Sequence, residues 1–313
     1  MEKPAPPFRY IKSNKMKNLI LILIVIFASC QVSAQEKIVK DTLNGWKSGG
    51  SIQLLFNQSA FNDQWTGGGT SSIAGNLSLN YDLNYRMNDF FWDNKLLADY
   101  GLTKIKDDEF SRKTSDRLEF NSVVGKQIKN SNWYYSWFLN FRTQFSKGYA
   151  FSEDPVTLKT IRTETTHFLS PGYLQTGPGL MWKKNENFVI NIAPATARII
   201  FVDSKFTSIP DYVDGQYFGV DKGKFSRFEF GASLSAFLKV TLLENVTMEN
   251  TANFYSNYLD KPGNVDIDYL MNMQMKINSY LSANLLFQAI YDDNAVSAFQ
   301  IREVFGLGIN YTL

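Results

Sequence analysis

From about residue 46 onward the chain alternates apolar and polar residues with a period of two, in segments longer than the strands of most soluble sheets. In 73–86 one parity reads Ile73, Gly75, Leu77, Leu79, Tyr81, Leu83, Tyr85, and the other Ala74, Asn76, Ser78, Asn80, Asp82, Asn84, Arg86. The same two-faced pattern returns in 133–146, 265–278 and 281–292. A helix would scatter such residues around its surface, whereas a strand puts each set on one face. Soluble strands average ~5–6 residues and a tilted membrane strand needs ~9–11, so segments of this length point to a membrane barrel. Tyr and Trp gather near segment ends (Trp92, Trp133, Tyr134, Trp182, Tyr280, Tyr311), where a headgroup belt would hold them.

Twelve such segments are joined by connectors that switch between short (around 87–89, 129–132, 184–187, 243–245, 279–280) and long (58–69, 107–113, 148–168, 204–224, 259–264, 292–298). This predicts an all-β, antiparallel, up-and-down transmembrane barrel of about 12 strands over 46–313. Both termini and the short turns are then periplasmic and the long loops outside. The alternation is weakest in 173–201, where Gly177-Pro178-Gly179 and Pro194 predict a bulge or bend. The last strand, Phe305, Leu307, Ile309, Tyr311 and Leu313 alternating with Gly306, Gly308, Asn310 and Thr312, has the form that barrel-assembly machinery captures.

The amino end predicts export. Leu19–Phe27 is apolar but too short to span a bilayer, and Val32-Ser33-Ala34 suits signal peptidase. The expected division is a signal peptide over 1–34, with Met16 as an alternative start, then a short periplasmic lead over 35–45. Lipidation at Cys30 is the rival reading. Residues 1–34 hold five of the 32 Lys/Arg and one of the 30 Asp/Glu, so the remainder carries 27 basic and 29 acidic residues. That balance implies no nucleic-acid partner. Cys30, the only cysteine, leaves with the signal, so no disulfide, thiolate metal site or cysteine nucleophile is expected. The expected surroundings are outer-membrane lipid and lipopolysaccharide, with no cofactor and no resident metal.

Several motifs together resemble a known family: Phe61-Asn62-Asp63-Gln64-Trp65-Thr66-Gly67-Gly68 as an F-x-x-W-x-x-G-G loop, Trp92-Asp93-Asn94, Tyr100-Gly101-Leu102, Arg112-Lys113-Thr114-Ser115-Asp116, Asn140–Phe145, Gly148-Tyr149, Gly177-Pro178-Gly179-Leu180, Gly219-Val220, Arg227–Ala232, Phe254–Leu259 and Tyr291-Asp292-Asp293. The chain is similar to the family catalogued as domain of unknown function 3078, which occurs in outer membranes of Bacteroidota. The resemblance implies fold and place and carries no activity. One departure is Ala197-Arg198, where relatives tend to carry Gly-Lys.

The chemistry is therefore weighed from residues. The polar parity nominates lumen-lining groups: Asp82, Arg86, Asn140, Arg142, Gln144, Glu229, Asp266, Asp268, Asn272, Gln274 and Lys276, with Lys239, Asn76, Asn80 and Asn284 beside them. Trp65, Gly67 and Gly68 read as a rim loop in which the tryptophan plugs the edge and glycines supply positive φ. His167, the only histidine, has Ser170 three residues on, but no G-x-S-x-G elbow exists and no enzyme is expected. Asp292-Asp293 and Asp107-Asp108-Glu109 could hold Ca²⁺ or bridge lipopolysaccharide phosphates, and solvated turn carboxylates are the simpler reading. Twelve strands enclose a backbone diameter of roughly 24 Å, much of it consumed by side chains. A narrow pore or facilitator for small solutes is the favoured expectation. A closed structural or assembly barrel is the alternative, and a lipid-acting enzyme stands third.

Overall fold

The computed structural model describes residues 44–62 and 69–313; the expected signal peptide and rim-loop residues Trp65, Gly67 and Gly68 lie outside them. Twelve strands close into an antiparallel barrel: β1 (Gly45–Ser59), β2 (Ser72–Met87), β3 (Phe90–Ile105), β4 (Arg112–Gln127), β5 (Trp133–Thr143), β8 (Gly172–Asn185), β9 (Phe188–Phe201), β10 (Ser226–Leu243), β11 (Val246–Asn257), β12 (Asp266–Lys276), β13 (Leu281–Asp292) and β14 (Val296–Thr312). Each pairs with its sequence neighbour, and β14 returns to β1 through Ser51–Phe56 against Leu307–Thr312. That seam is shorter than the ladder of β1 with β2, which runs the length of β1. Inside it, Gln53 donates to Asn284 (2.9 Å) and Asn310 (2.7 Å), adding side-chain bonds where backbone bonds are few.

Two connectors differ from expectation. The connector after β5 carries its own hairpin, β6 (Gly148–Glu153) with β7 (Thr160–Thr166), because Tyr149–Glu153 and Thr160–Glu164 supply a ladder once the chain has left the barrel. The 292–298 connector is only 293–295. Asp292 takes Asn294 N on its carboxylate (3.0 Å) and Ala295 N on its carbonyl (3.1 Å), closing a tight turn.

The sheet's two faces follow the sequence alternation. On β2, Ile73, Leu77 and Leu83 are exposed on the outer face while Asn76 is buried inside. Leu307 and Ile309 on β14 and Trp137 on β5 keep more than half of their surface outward. At the short-turn end, Trp46 meets Tyr85 (5.1 Å between centroids) and Trp92 (5.5 Å), and Trp182 meets Phe188 (5.5 Å). Thr143 departs from its parity. It shares the parity of the outward Trp137 but is buried, taking Leu169 N (2.9 Å) and donating to Pro171 O (3.2 Å), because the following connector folds over it. The irregularity predicted in 173–201 is present, with the β8–β9 register shifting between Thr176 and Leu180. A Cβ at Gly177 would lie 2.4 Å from Ala195 O, so only glycine allows that approach.

Candidate functional site in the barrel lumen

Near the long-loop end the lumen is crossed by a charged layer. Arg142, next to last in β5, forms a hydrogen-bonded ion pair with Asp268 of β12. Four strands (β8–β11) separate β5 from β12 on one side and six on the other, so the pair spans the barrel. The Arg142 guanidinium also lies over the Tyr173 ring (4.9 Å), and Asp268 accepts from Gln288 (3.0 Å). Beside them Arg117 pairs with Glu119, which accepts from Asn121 (2.8 Å) and Asn140 (3.0 Å).

A second group joins β9 to β12. Arg198 reaches Glu229 and Asp266, each at 2.6 Å, and stacks on Tyr255 (4.0 Å). Glu229 is fully buried and takes Arg227 on its other oxygen (2.8 Å). Arg227 continues to Asp260 (2.9 Å) and to Gly219 O (2.9 Å), tying the network to the 202–225 connector. One guanidinium serves both carboxylates, its planar fork presenting Nε and Nη2 to Glu229 and Nη1 to Asp266.

Toward the short-turn end, Arg86 pairs with Asp93 and lies over Phe91 (5.5 Å), and Asp82 faces Lys95 (3.5 Å). Gln274 reaches Asn310 (3.5 Å), Asn272 lines the central cavity, and Lys276 is exposed at the end of β12. Gln144 lies beyond the end of β5 and fastens the connector, donating to His167 O (2.9 Å) and Ser170 O (3.0 Å). Of the lumen residues in the site, the sequence reading missed Arg117, Glu119, Tyr173, Arg198, Tyr255 and Arg302. Period two along β4 (115, 117, 119, 121) could have exposed the first two. The bulge on β9 hides the phase that turns Arg198 inward.

The long connectors fold over the mouth. In 202–225 a single helical turn, α1 (Ser204–Thr207), is capped by Asp203, whose carboxylate accepts from Lys205 N (2.9 Å). Val220 is fully buried with Tyr173 and Ile200, held by Tyr212 Oη donating to Val220 O (2.6 Å). Phe218 meets Tyr173 edge-on (6.5 Å), so the lid touches the residue that Arg142 stacks upon. Tyr217 stacks on Phe206 (4.8 Å) and donates to Thr165 O (2.7 Å), joining this lid to the β6–β7 connector; its burial pushes the phenol up to about 12. His167 bonds Glu164 through Nδ1 (2.8 Å) and faces Asp203 through Nε2 (3.3 Å). Ser170 Oγ accepts from Asp203 N (2.9 Å), so the serine and the His167 imidazole have separate partners and form no dyad. Hydrogen bonds from Lys205 (2.6 Å), Lys147 (2.9 Å) and His167 pull Glu164 down to about 2.

Beneath the lid lies a cavity of about 630 Å³. Its walls include Arg142, Asp268, Arg198 and Tyr173 at the charged layer, and Asn272, Phe138, Met181 and Phe237 deeper in the barrel. Carboxylate oxygens of Asp266, Asp292 and Asp293 lie within 4.8 Å of one another. Each has other work: Asp266 binds Arg198, Asp292 caps its turn, and Asp293 accepts from Asn264 (2.6 Å). Asp108 pairs with Arg112 (3.0 Å).

Residues 56–149 match the family described as "Protein of unknown function (DUF3078)", in line with the motifs above. No curated protein matches the sequence. Among solved structures the chain is similar to the translocator domain of the autotransporter NalP from Neisseria meningitidis (TM-score 0.41, 7% identity, 95% of each chain covered). It is also similar to an outer-membrane channel from Pseudomonas putida F1 (0.37, 8%, 89% of this chain and 98% of that one). A third is the outer-membrane phospholipase A from Escherichia coli (0.34, 10%, 88% and 94%). These likenesses concern the barrel fold alone.

Proposed function

We propose that this chain is an outer-membrane β-barrel, exported by a cleaved signal peptide, that passes small solutes through a narrow, lidded lumen. An apolar outer face with an aromatic girdle suits lipid, and the alternation of short turns with long connectors suits periplasmic termini and outward loops. The observation that carries the transport reading is the cavity. It borders the Arg142–Asp268 pair and also reaches Asn272 and Phe237 deeper down, so the charged layer crosses the lumen without filling it. In this reading the lid and the ion pair are the constriction, and rings of charge at that level choose among ions.

One observation favours a closed structural barrel instead: Asp82, Arg142 and Asp268, which an open pore would leave hydrated, all have partners. Single-channel recording in planar bilayers decides between them. The transport reading expects discrete conductance from wild type and a larger one from Arg142→Ala. Electrical silence from both proteins supports the structural barrel.

A further inference from the structure

The inward arginines are not equivalent. Arg86, Arg117, Arg142, Arg198 and Arg227 each hold a carboxylate. Arg302, in the middle of β14, holds none among the described residues. Its Nη1 donates to Ser115 Oγ of β4, with β1, β2 and β3 between the two strands. Its Nε is buried without an acceptor, and the side chain lines the cavity. In the same wall the buried Tyr255 hydroxyl also lacks a partner.

A cation with an unmet donor and no carboxylate in contact is costly to keep out of water, by contrast with the paired arginines around it. Its cost is recovered when something from outside brings the acceptor. With Nη1 turned to Ser115, the Nε–Nη2 edge holds no acceptor, and once the side chain turns this edge from the wall toward the cavity it matches the two oxygens of a carboxylate side by side. Of the charges that act on Arg302 through space, Asp99 and Asp268 together outweigh the opposing Arg117, so a second negative charge on the ligand would be opposed. Phe138, Leu270 and Ile290 in the cavity wall can accept a short apolar tail. We propose that Arg302 is the docking residue of the lumen, holding a small aliphatic monocarboxylate by its Nε–Nη2 edge.

This assignment rests on the transport reading, but binding can be measured without transport. Isothermal titration of the full barrel in detergent micelles with sodium butyrate should give saturable heat. Arg302→Gln should weaken it at least tenfold, Arg302→Lys should fall between, and Lys129→Gln, exposed in a short turn far from the cavity lining, should stay within twofold of wild type. Inorganic phosphate should bind at least tenfold more weakly than butyrate. Because Arg302→Gln removes an unpaired charge, its melting temperature should equal or exceed that of wild type, which a merely structural arginine would not show. Absence of butyrate binding in wild type, equal binding in Arg302→Gln, or tighter binding of phosphate would each overturn the proposal. Butyrate binding by a barrel that is silent in bilayers would support the docking site and refute transport.

Discussion

Arg142→Ala, Asp268→Ala and the double variant form a cycle that tests whether the lumen is bridged. The Arg142 side chain is 27% exposed and that of Asp268 14%, so the pair lies between two regimes. Exposed pairs contribute ~0–1 kcal/mol, while removing one partner of a buried pair costs ~3–5 kcal/mol. Asp268 keeps Gln288 after Arg142 is lost, which softens the cost, and Tyr173 loses its cation. A coupling energy of ~2 kcal/mol between the two sites is the expected outcome. Each single variant should lower the melting temperature by ~4–8 °C, taking ~2–4 °C per kcal/mol for a domain of this size. The assay is reversible unfolding of the folded barrel in micelles, followed by heat-modifiable gel mobility and by far-ultraviolet dichroism. Strictly additive single effects, with coupling under ~0.5 kcal/mol, would mean that β5 and β12 do not meet across the barrel.

Three further outcomes follow from the same geometry. Leu79→Arg or Met273→Arg puts a charge toward lipid and should cost ~2–4 kcal/mol in a folding assay, whereas Gln274→Arg should fold nearly as well as wild type; equal costs would reverse the face assignment. Glu164 is held below its ordinary value, so the bonds it takes from Lys147, Lys205 and His167 hold the connectors together fully above about pH 4.5. They are lost as pH falls toward about 2, and hydrogen exchange in 160–170 and 203–217 should speed up over that window, with Glu164→Gln abolishing the dependence. Tags at Asp154 and Asp214 should bind antibody on intact cells and a tag at Asn88 should not; the opposite labelling would invert the topology.

The barrel was legible because period-two alternation and connector length are local properties of the chain. Leu77 against Asn76, or Leu307 against Gly306, needs no knowledge of a distant strand. The charged layer was harder to read. Asp82, Arg142 and Asp268 could be placed on the polar parity of their strands, but which carboxylate answers which arginine depends on closure of the ring, and β5 and β12 are 126 residues apart at that pair. Phase errors account for much of the rest. Arg198 follows the Pro194 bulge, so counting forward from Asn191 puts it on the wrong face. Thr143 and Gln144 sit where β5 ends, and their surroundings come from a connector whose path alternation does not encode. The His167 clamp was equally hidden, since Asp203 reaches it from another loop.

Single-channel conductance of the purified wild-type barrel in a planar bilayer, repeated with Arg142→Ala, tests the central claim most directly. A lumen constricted by the Arg142–Asp268 pair predicts small discrete steps in wild type. In the variant it predicts larger steps with a reversal potential shifted toward cation preference, since Asp268 is left uncompensated. A wild-type protein that folds, inserts and stays electrically silent, and remains silent when Arg142 is removed, would contradict it.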